Sequence, residues 1–485
     1  MNGKSLRKLK TGSALIAVLL MLSVFFALVT DQAAATTIPE VDIIVDEGNI
    51  TDHLWSSDGT KVAYIKCPEG QLWGDLWIAE WDGKEVNNKQ LIYTEADYSG
   101  LEDLQGDWIL FMIRHEDGTP STYYGRGELW KIRDDGSDLT QITFTYTDGI
   151  KNTENGYYYY RGSAGWGRFI PGTDLVYFSA HDGNGWWKAY TCNADGTDEW
   201  TRISVNTYSF TIGMSPTGNK LLWGTSWYWN MPTTLMASNV DGSDVITLKV
   251  FSYKTGLLVL ADGNTILYHS PDGNIGAIDM DGSNDRMVLD DEYFNHYESY
   301  NPVDGQSLIM TSDRADGNTH IFKINVDGTG IVQLTDGSYN DGRASYSPNA
   351  HELLYGRMPL ESGPYQLVIK RIVKLIEIDI KPCSLPNSIN LKSKGKVPVA
   401  ILTTDDFDAS SIDPNTVVFA GASPLKWHLE DVDFDGDIDL ILHFLTQELD
   451  LTMDSTETTL FGETYDFQLV QGTDSVRIVP YNKNK

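Results

Sequence analysis

Residues Tyr297–Thr335 read YESYNPVDGQSLIMTSDRADGNTHIFKINVDGTGIVQLT, and this stretch decides the fold. It contains four short runs rich in Ile, Val, Tyr and Phe, around Ser299, Ser307–Thr311, Thr319–Val326 and Ile331–Leu334. Asp-Gly pairs separate the runs, and such pairs accept the left-handed backbone angles that tight turns between strands require. The stretch therefore predicts one four-stranded antiparallel sheet.

The same pattern repeats along the chain, as it must if sheets of this size are to cover their faces. The later turn recurs as Asp82-Gly83, Asp135-Gly136, Asp195-Gly196, Asp241-Gly242, Asp281-Gly282 and Asp327-Gly328. The earlier turn recurs as Ser57–Gly59, Gly106-Asp107, Pro171-Gly172, Ser215–Gly218, Ala261–Gly263, Asp304-Gly305 and Ser347–Asn349. The separation between successive later turns along the sequence is typical of propeller blades. There are seven earlier turns, which favours seven blades over the alternative of six.

The seventh repeat, Arg343–Val373, keeps three strand-like runs but lacks the later Asp-Gly turn. We expect the N-terminal run near Val41–Val45 to supply its fourth strand. Closing the ring with both ends of the chain would remove the exposed sheet edges. The sequence thus predicts an all-β protein with a closed propeller.

Four runs carry a resemblance to a known repeat: SPTGNKLLW, DGNTILYHSPDGN, TSDRADGNTHIFKINVDGTGIVQLT and RDDGSDLTQIT. They resemble the TolB-type propeller repeat, over roughly residues 50–373, which implies a TolB-like β-propeller spanning about residues 38–373. Similar propellers serve as periplasmic binding proteins, as substrate-gating domains of peptidases and as polysaccharide lyases, so the resemblance implies a fold and several functions. The insertions Tyr146–Gly165 and Tyr228–Thr234 depart from the repeat, and we expect them to distinguish this protein from a bare scaffold.

The N-terminus has the pattern of an export signal. Basic residues precede the apolar run Ala14–Val29, and Ala33–Ala35 supplies the small residues that a signal peptidase recognises. We therefore expect residues 1–35 to be a cleaved signal peptide and the protein to be exported to the periplasm, the cell surface or the medium. An uncleaved membrane anchor is the alternative.

The charge of the chain narrows the choice of partners. Without residues 1–35, 32 basic and 67 acidic residues remain, a net charge of −35. Such a surface repels nucleic acids and anionic membranes, and it suits divalent cations and neutral or cationic partners. Acidity is also common in exported proteins with no electrostatic role, and the sequence leaves both interpretations open.

Aromatic residues and histidines are the candidates for a site in the propeller. The propeller holds thirteen of the fourteen tryptophans, together with the run Tyr157–Tyr160. Aromatic rings in such a protein either stack on the faces of sugar rings or pack in the hydrophobic core between the sheets. His53, His269 and His296 lie near inner strands that can line a central channel. In polysaccharide lyases of similar fold, channel histidines hold a metal, whereas scattered histidines in a β protein are more often structural.

A second domain follows the propeller. Residues 375–485 lose the blade period and form about seven strand-like runs between Pro, Gly and Asn turns, which predicts a small β-sandwich. This part of the chain resembles a C-terminal module of exported bacterial and archaeal proteins in the runs IDIKP, PNSIN, VPVAILTT, EDVDFDGDIDL and DSVRIVP. Cys383 stands where that module has Gly.

The three cysteines, Cys67, Cys192 and Cys383, are too few for a disulfide framework, so we expect buried thiols.

The sharpest chemical motif is Asp431-Val-Asp433-Phe-Asp435-Gly436-Asp437-Ile-Asp439. Ca²⁺ takes six to eight oxygen ligands, and carboxylates at positions 1, 3, 5 and 9, a carbonyl at 7 and Gly at 6 can supply them. Leu442 stands where an EF-hand has its glutamate, so we expect a calcium-binding hairpin loop, with Asp437 offering its backbone carbonyl. A solvated acidic turn is the alternative.

Two hypotheses for function follow. The first is an exported, non-catalytic binding or cell-surface scaffold protein that holds a protein or glycan partner at the propeller rim. The second is a carbohydrate-active enzyme, a lyase or hydrolase, with its site in the channel. The sequence contains no nucleophile or zinc-protease motif that would identify catalytic residues.

Overall fold

The structure is a computed structural model, and it describes residues 42–71, 73–97, 100–115, 126–144, 150–151, 158–159, 164–181, 187–197, 200–203, 209–225, 233–251, 257–260, 262–270, 273–361 and 363–479. The expected signal peptide, residues 1–35, lies outside them. The described chain is all-β and contains seven four-stranded antiparallel sheets followed by a sandwich of two four-stranded sheets. The seven-bladed propeller expected from the repeats is therefore confirmed, and the six-bladed alternative is wrong.

Each blade runs from an inner first strand to an outer fourth strand, in chain order except in blade 7. Blade 1 comprises Ile50–Trp55, Lys61–Lys66, Trp73–Trp81 and Val86–Asp97; blade 2 comprises Leu101–Gln105, Trp108–His115, Arg126–Arg133 and Thr140–Gln141. Blade 3 comprises Ala164–Phe169, Leu175–His181, Trp187–Asn193 and Thr201–Arg202; blade 4 comprises Ser209–Met214, Lys220–Thr225, Thr233–Asn239 and Ile246–Phe251. Blade 5 comprises Leu257–Val259, Thr265–His269, Ile275–Asp279 and Arg286–Leu289; blade 6 comprises Asn295–Tyr300, Ser307–Ser312, His320–Asn325 and Val332–Gln333. Blade 7 comprises Tyr339–Tyr346, Glu352–Pro359, Gln366–Arg371 and the N-terminal strand Asp42–Glu47.

The N-terminal strand closes the ring. Asp42–Glu47 pairs antiparallel with Gln366–Arg371, with Asp42 opposite Lys370 and Glu47 opposite Gln366. This pairing is the closure expected from the missing later turn of the seventh repeat. As a result, the outer strand of blade 7 comes from the opposite end of the propeller sequence.

Apolar cores fill the spaces between neighbouring blades. Val, Ile, Leu and aromatic residues alternate along the strands, so each blade presents one apolar face to each neighbour. Seven clusters of buried residues result, and one of them joins Leu354 and Ile369 of blade 7 to Val62 and Tyr64 of blade 1. Each blade is therefore stabilised by both of its neighbours.

The Asp-Gly turns shape the face of the propeller that we call the turn face, where first strands turn into second strands and third strands into fourth strands. In the later turns the Asp side chain accepts a hydrogen bond from the backbone two residues on, as Asp327 does from Thr329 at 2.9 Å. The glycine that follows has a positive φ, +87° in Gly328. Gly328 also lies against the preceding blade, because a Cβ there would be 2.0 Å from the carbonyl oxygen of Val288.

The opposite face, which we call the loop face, is where second strands lead into third strands and fourth strands lead into the next blade. In chain order, Tyr146–Gly165 falls between blades 2 and 3, and Tyr228–Thr234 falls between two strands of blade 4. Most of both segments lies outside the described residues. Within the first, Ile150–Lys151 pairs with Tyr158–Tyr159 as a short hairpin.

Residues from Val373 onward form the sandwich. One sheet has the order Val373–Leu375, Leu469–Ser475, Glu457–Glu463 and Val418–Phe419; the other has the order Ile378–Ile380, Lys396–Ile401, Asp439–Leu445 and Lys426–Glu430. Ser388–Ile389 and Arg477–Ile478 form a parallel pair, and Ala409–Ser411 and Thr446–Glu448 are short 3₁₀ helices. Side chains from both sheets, such as Val399, Leu442 and Leu460, fill a single core. The first sandwich strand begins at Val373, where the propeller was expected to end.

A buried ion pair joins the sandwich to the turn face of blades 7 and 1. Arg371 Nη1 lies 3.1 Å from Glu463 Oε1, and both residues are almost fully buried. Arg371 also donates to the carbonyl oxygen of Phe467 at 2.7 Å, and Lys84 Nζ lies 2.6 Å from Glu463 Oε2. Because a buried charge is costly without its partner, this network fixes the sandwich against the propeller.

The cysteines occupy different environments. Cys67 is a buried free thiol in the core between blades 1 and 2, and Cys192 is buried in the core between blades 2 and 3. Cys383 is exposed, so the expectation of buried thiols is wrong there. Its φ of +65° is a left-handed conformation that favours glycine, which is the residue that the resembled module has at this turn.

We predict that Gly328→Ala destabilises the protein far more than Gly106→Ala. Both glycines have positive φ, at +87° and +58°, so both substitutions incur the cost of a left-handed alanine, about 1 kcal/mol. Only at Gly328 would the added Cβ meet the backbone of the preceding blade, whereas nothing lies within 4 Å at Gly106. Thermal unfolding should show a several-fold larger loss of stability for Gly328→Ala, and equal losses would contradict close contact between blades at this turn.

Candidate functional site

The first strands of the blades lie around a central channel, and several of them contact the first strand of the next blade, as Leu101–Gln105 contacts Ala164–Phe169. Six of these seven strands change register against their second strand, for example between Leu101 and Asp103 and between Gly165 and Arg168. A bulge of this kind turns a side chain away from the regular alternation. In this propeller it directs polar residues toward the channel and the adjoining blade.

Carboxylates on the first strands accept hydrogen bonds from the backbone of the next blade. The bonds run from Leu101 N to Asp52 Oδ2 (3.2 Å), Trp166 N to Glu102 Oε1 (3.0 Å), Phe169 N to Asp103 Oδ2 (2.9 Å) and Arg343 N to Glu298 Oε1 (3.4 Å). Trp166 and Arg343 lie at register shifts of their strands, where the regular ladder is interrupted, so these two bonds help to satisfy backbone N–H groups there. The acidic residues of the channel therefore join neighbouring blades.

Burial changes the acidity of these groups. It raises the pKa of Asp52 to about 6 and that of Glu102 to about 7, and it also raises the pKa of Asp103. Arg168 opposes the shift by its positive charge, and its Nη1 lies 3.5 Å from Glu102 Oε2. The Arg168 side chain keeps 44% of its surface accessible, so it faces solvent within the channel.

A cavity of about 410 Å³ lies along this channel. Its walls come from the first strands of blades 2 to 6, from the turns that follow them and from the second strand of blade 3, and include Glu102, Trp166, Arg168, Tyr177, Met214 and Tyr300. The volume falls in the range of small-molecule sites, and the combination of aromatic rings with few polar groups is also typical of such sites. The cavity reaches the turn face at Pro171 and Pro216.

Trp166 is the most unusual residue in the cavity wall. It is 48% exposed and has a φ of +54°, which is rare and strained for a bulky side chain. Its ring packs against Trp187, with centroids 5.3 Å apart. Glu102 holds the strained backbone in place through the hydrogen bond from Trp166 N. The fold thus stabilises an uncommon backbone conformation that keeps an aromatic surface accessible.

The three histidines predicted to line the channel do not converge. His53 lies on the first strand of blade 1, and its Nε2 is 2.9 Å from the carbonyl oxygen of Arg343. The rings of His269 and His296 lie together at the loop face, with centroids 4.2 Å apart, and His296 Nδ1 is 3.4 Å from Glu298 Oε1. Burial lowers the pKa of both His53 and His269 to about 4. Within the described ranges, no group of three metal-type ligands occurs in the channel.

The acidic loop of the sandwich does bring carboxylates together. Asp431, Asp433 and Asp439 each place one oxygen within 4.8 Å of the others, in the connection between two paired strands. Asp439 is buried and accepts hydrogen bonds from Thr403 N and Val432 N, both at 2.9 Å.

The rest of the loop completes this arrangement. Gly436 has a φ of +106° at the expected turn position. The Asp435 carboxylate accepts from Asp437 N at 2.9 Å and is not part of the three-carboxylate group, nor is the Asp437 side chain. Partial desolvation, followed by repulsion from Asp435 and Asp439, raises the pKa of Asp433.

Of the other aromatic candidates, one is buried in the core and most of the rest lie outside the described residues. Trp223 is fully buried, as core packing predicts, and its Nε1 donates to Ser238 at 3.2 Å. Trp186, Trp227 and Trp229 lie outside the described residues, as do Tyr157 and Tyr160 of the tyrosine run. Sequence reasoning missed Glu102 and Arg168, although acidic residues on otherwise apolar inner strands, such as Asp52 and Glu298, were a detectable signal.

Comparisons with known proteins agree on the fold and leave the function open. Neither a protein-family model nor a curated protein matches the chain. Similar solved structures include putative TolB from Agrobacterium tumefaciens, at 14% identity and a TM-score of 0.37, covering 59% of this chain and 95% of that one. An oligogalacturonate lyase from Vibrio parahaemolyticus is similar at 14% identity and a TM-score of 0.38, covering 66% of this chain and 77% of that one.

A puromycin hydrolase is similar at 11% identity and a TM-score of 0.50, covering 80% of this chain and 65% of that one. At this identity the similarity shows the fold alone. The structural neighbours are TolB-like β-propeller proteins, so the resemblance read from the repeats is confirmed for the fold. In the described part of the chain, no helix has the length and apolarity to span a membrane.

We predict that Glu102→Gln gains stability relative to the wild type as the pH rises from 5 to 8. The carboxyl has a raised pKa of about 7 in the folded protein, so the unfolded chain loses this proton at lower pH than the folded one. Ionisation of Glu102 therefore destabilises the wild type across this window, and the total effect is on the order of 2 kcal/mol. Unfolding midpoints of both proteins at several pH values measure it, and a difference independent of pH would contradict a near-neutral pKa for Glu102.

Proposed function

We propose that this protein is an exported binding protein that holds a saccharide segment of a glycan in the propeller channel. The exposed Trp166 ring, fixed by Glu102 and Trp187 beside Arg168, is the observation that carries the proposal. An accessible aromatic ring can stack on a sugar ring, while Arg168, Glu102 and Tyr300 offer hydrogen bonds to its hydroxyl groups. The cavity volume suits one or two sugar rings.

Charge favours a neutral or cationic glycan. Asp52, Glu102, Asp103 and Glu298 bring four carboxylates to the channel strands, against the guanidinium groups of Arg168 and Arg343. The acidic surface outside the channel has the same sign. An anionic polysaccharide would therefore meet repulsion on its approach to the channel.

We predict that Trp166→Ala weakens glycan binding about tenfold or more, since tryptophan anchors commonly dominate binding energy. Trp73→Ala is the matched control, because Trp73 is 37% exposed and does not line the cavity. A neutral and amino-sugar oligosaccharide panel would identify a ligand, and calorimetry would then compare the two variants. Binding that is unaffected by Trp166→Ala, or an absence of binding across the panel, would overturn the proposal.

A carbohydrate-active enzyme is the second candidate, favoured by the pKa of about 7 for Glu102. A carboxyl group that keeps its proton near neutral pH can act as a general acid toward a glycosidic oxygen. Incubation with the same glycans and with acidic polysaccharides, followed by detection of new reducing or unsaturated ends, separates the two functions. Cleavage that disappears in Glu102→Gln would favour the enzyme.

We further propose that the Asp431–Asp439 loop binds Ca²⁺ and thereby stabilises the sandwich. Asp431, Asp433 and Asp439 present three oxygens close enough to share one ion. An ion would also offset the repulsion that, after the larger effect of desolvation, raises the pKa of Asp433. Asp435 would join through its carboxylate and Asp437 through its backbone carbonyl. The partly assembled carboxylates and the left-handed turn at Gly436 support this assignment.

We predict that Ca²⁺ raises the unfolding temperature of the full chain by several degrees relative to EDTA. A ligand that binds only the folded state at a hundredfold excess over its Kd contributes about 2.7 kcal/mol. Asp433→Ala should abolish the shift, whereas Asp437→Ala should retain most of it because the carbonyl remains. Identical melting curves with Ca²⁺ and with EDTA would leave the loop as an acidic turn.

A further inference from the structure

The strand Lys426–Glu430 is an uncovered edge of the sandwich. It pairs with Asp439–Leu445 on one side and is the last strand of its sheet. Each of its five residues is exposed. Exposed edges of this kind readily pair with another strand, and natural proteins usually protect them with charges, bulges or covering segments.

One face of this strand is apolar and extends the core of the sandwich without being covered. Trp427 lies opposite Leu442, and Leu429 lies opposite Leu440, and both leucines are buried in the core. Directly paired residues share a face of the sheet, so Trp427 and Leu429 are on the core face. They are nevertheless 44% and 54% exposed, as is the preceding Leu425 at 53%.

The backbone groups of Trp427 and Leu429 point away from the sheet. Lys381 N donates to the carbonyl oxygen of Pro398 at 2.8 Å, so the backbone of Pro398 faces Ile378–Ile380 rather than Asp439–Leu445. Backbone groups alternate in direction along antiparallel strands. Following the registers across the sheet, Lys426, His428 and Glu430 bond to Asp439–Leu445. Trp427 and Leu429 therefore present their N–H and C=O groups at the edge.

The order of residues on this edge is self-complementary. In an antiparallel pair of two identical strands centred on His428, Trp427 stands opposite Leu429 of the second copy, and Lys426 stands opposite Glu430 of the second copy. The first pairing joins the apolar residues whose backbone groups face outward. The second joins opposite charges at the closely spaced positions of an antiparallel ladder. Registers shifted by one residue either way lose the pairing of Lys426 with Glu430.

We propose that Lys426–Glu430 pairs with the same strand of a second copy of this chain, so that two sandwich sheets join into one continuous sheet across a twofold axis. A second copy fits better than an unrelated strand, because both the charges and the apolar residues match under this symmetry. The contact is a single short edge with an apolar stripe, smaller than a standard interface. We therefore expect a weak dimer, with a Kd of roughly 10–100 μM.

Sedimentation of the mature protein from low micromolar to several hundred micromolar concentration tests the dimer. Lys426→Glu places like charges opposite each other twice in the dimer, so its Kd should rise about tenfold. Glu430→Lys should have the same effect for the same reason. Lys89→Glu makes the same change of charge on an exposed residue of blade 1 and should leave the Kd unchanged.

Mixing the two variants gives the decisive result. Lys426→Glu and Glu430→Lys are complementary to each other, so an equimolar mixture should recover association as a heterodimer. Both residues are exposed strand-end positions, and intact folding can be checked from the unfolding temperature of each variant. A wild type that stays monomeric throughout, association equally strong in Lys426→Glu, or a mixture no stronger than its components would each overturn the proposal. Pairing with another protein at this edge would then be the alternative.

Discussion

The pairing of Asp42–Glu47 with Gln366–Arg371 is the constraint on which the rest of the propeller depends. Every blade is stabilised by apolar cores shared with both neighbours, so a gap between blades 7 and 1 would expose two core faces at once. Polar contacts reinforce the closing strand. Asp42 lies 3.1 Å from Arg357 and 2.8 Å from Lys370, and Arg357 in turn binds the buried Asp341. The propeller ring can therefore close only after the two ends of the propeller sequence have met. This makes the fold rich in contacts between residues that are distant in sequence.

Inside the ring, the same acidic side chains serve the fold and define the site. Asp52, Glu102 and Asp103 accept backbone hydrogen bonds from the next blade, and this partly offsets the cost of burying them. Their raised pKa values show that the cost is not fully offset. Glu102 also contacts Arg168 and supports the strained backbone of Trp166. Strain of this kind persists where the surroundings determine the conformation, and it concentrates at functional sites.

The sandwich lies at the turn face of the propeller. Arg371, Glu463 and Lys84 connect the sandwich to blades 7 and 1 through buried charges. The acidic loop and the edge strand Lys426–Glu430 adjoin each other on the sandwich, since the loop begins directly after Glu430. The proposed ion and the proposed dimer would thus act on one hairpin, and the glycan would bind in the propeller. This arrangement separates ligand binding from assembly.

Local patterns in the amino-acid sequence determined the blades, the turns and the acidic loop. Alternating apolar residues and Asp-Gly turns are local signals, because a strand and its turn depend mainly on neighbouring residues. They predicted seven repeats and the N-terminal strand as the closing one, and the Gly expected at Cys383 matches its φ of +65°. They did not predict the cavity. Glu102, Trp166, Arg168 and Tyr300 are up to two hundred residues apart, and only the closed ring brings them together. The bulges that turn these side chains inward depend on the register between strands, which tertiary packing sets.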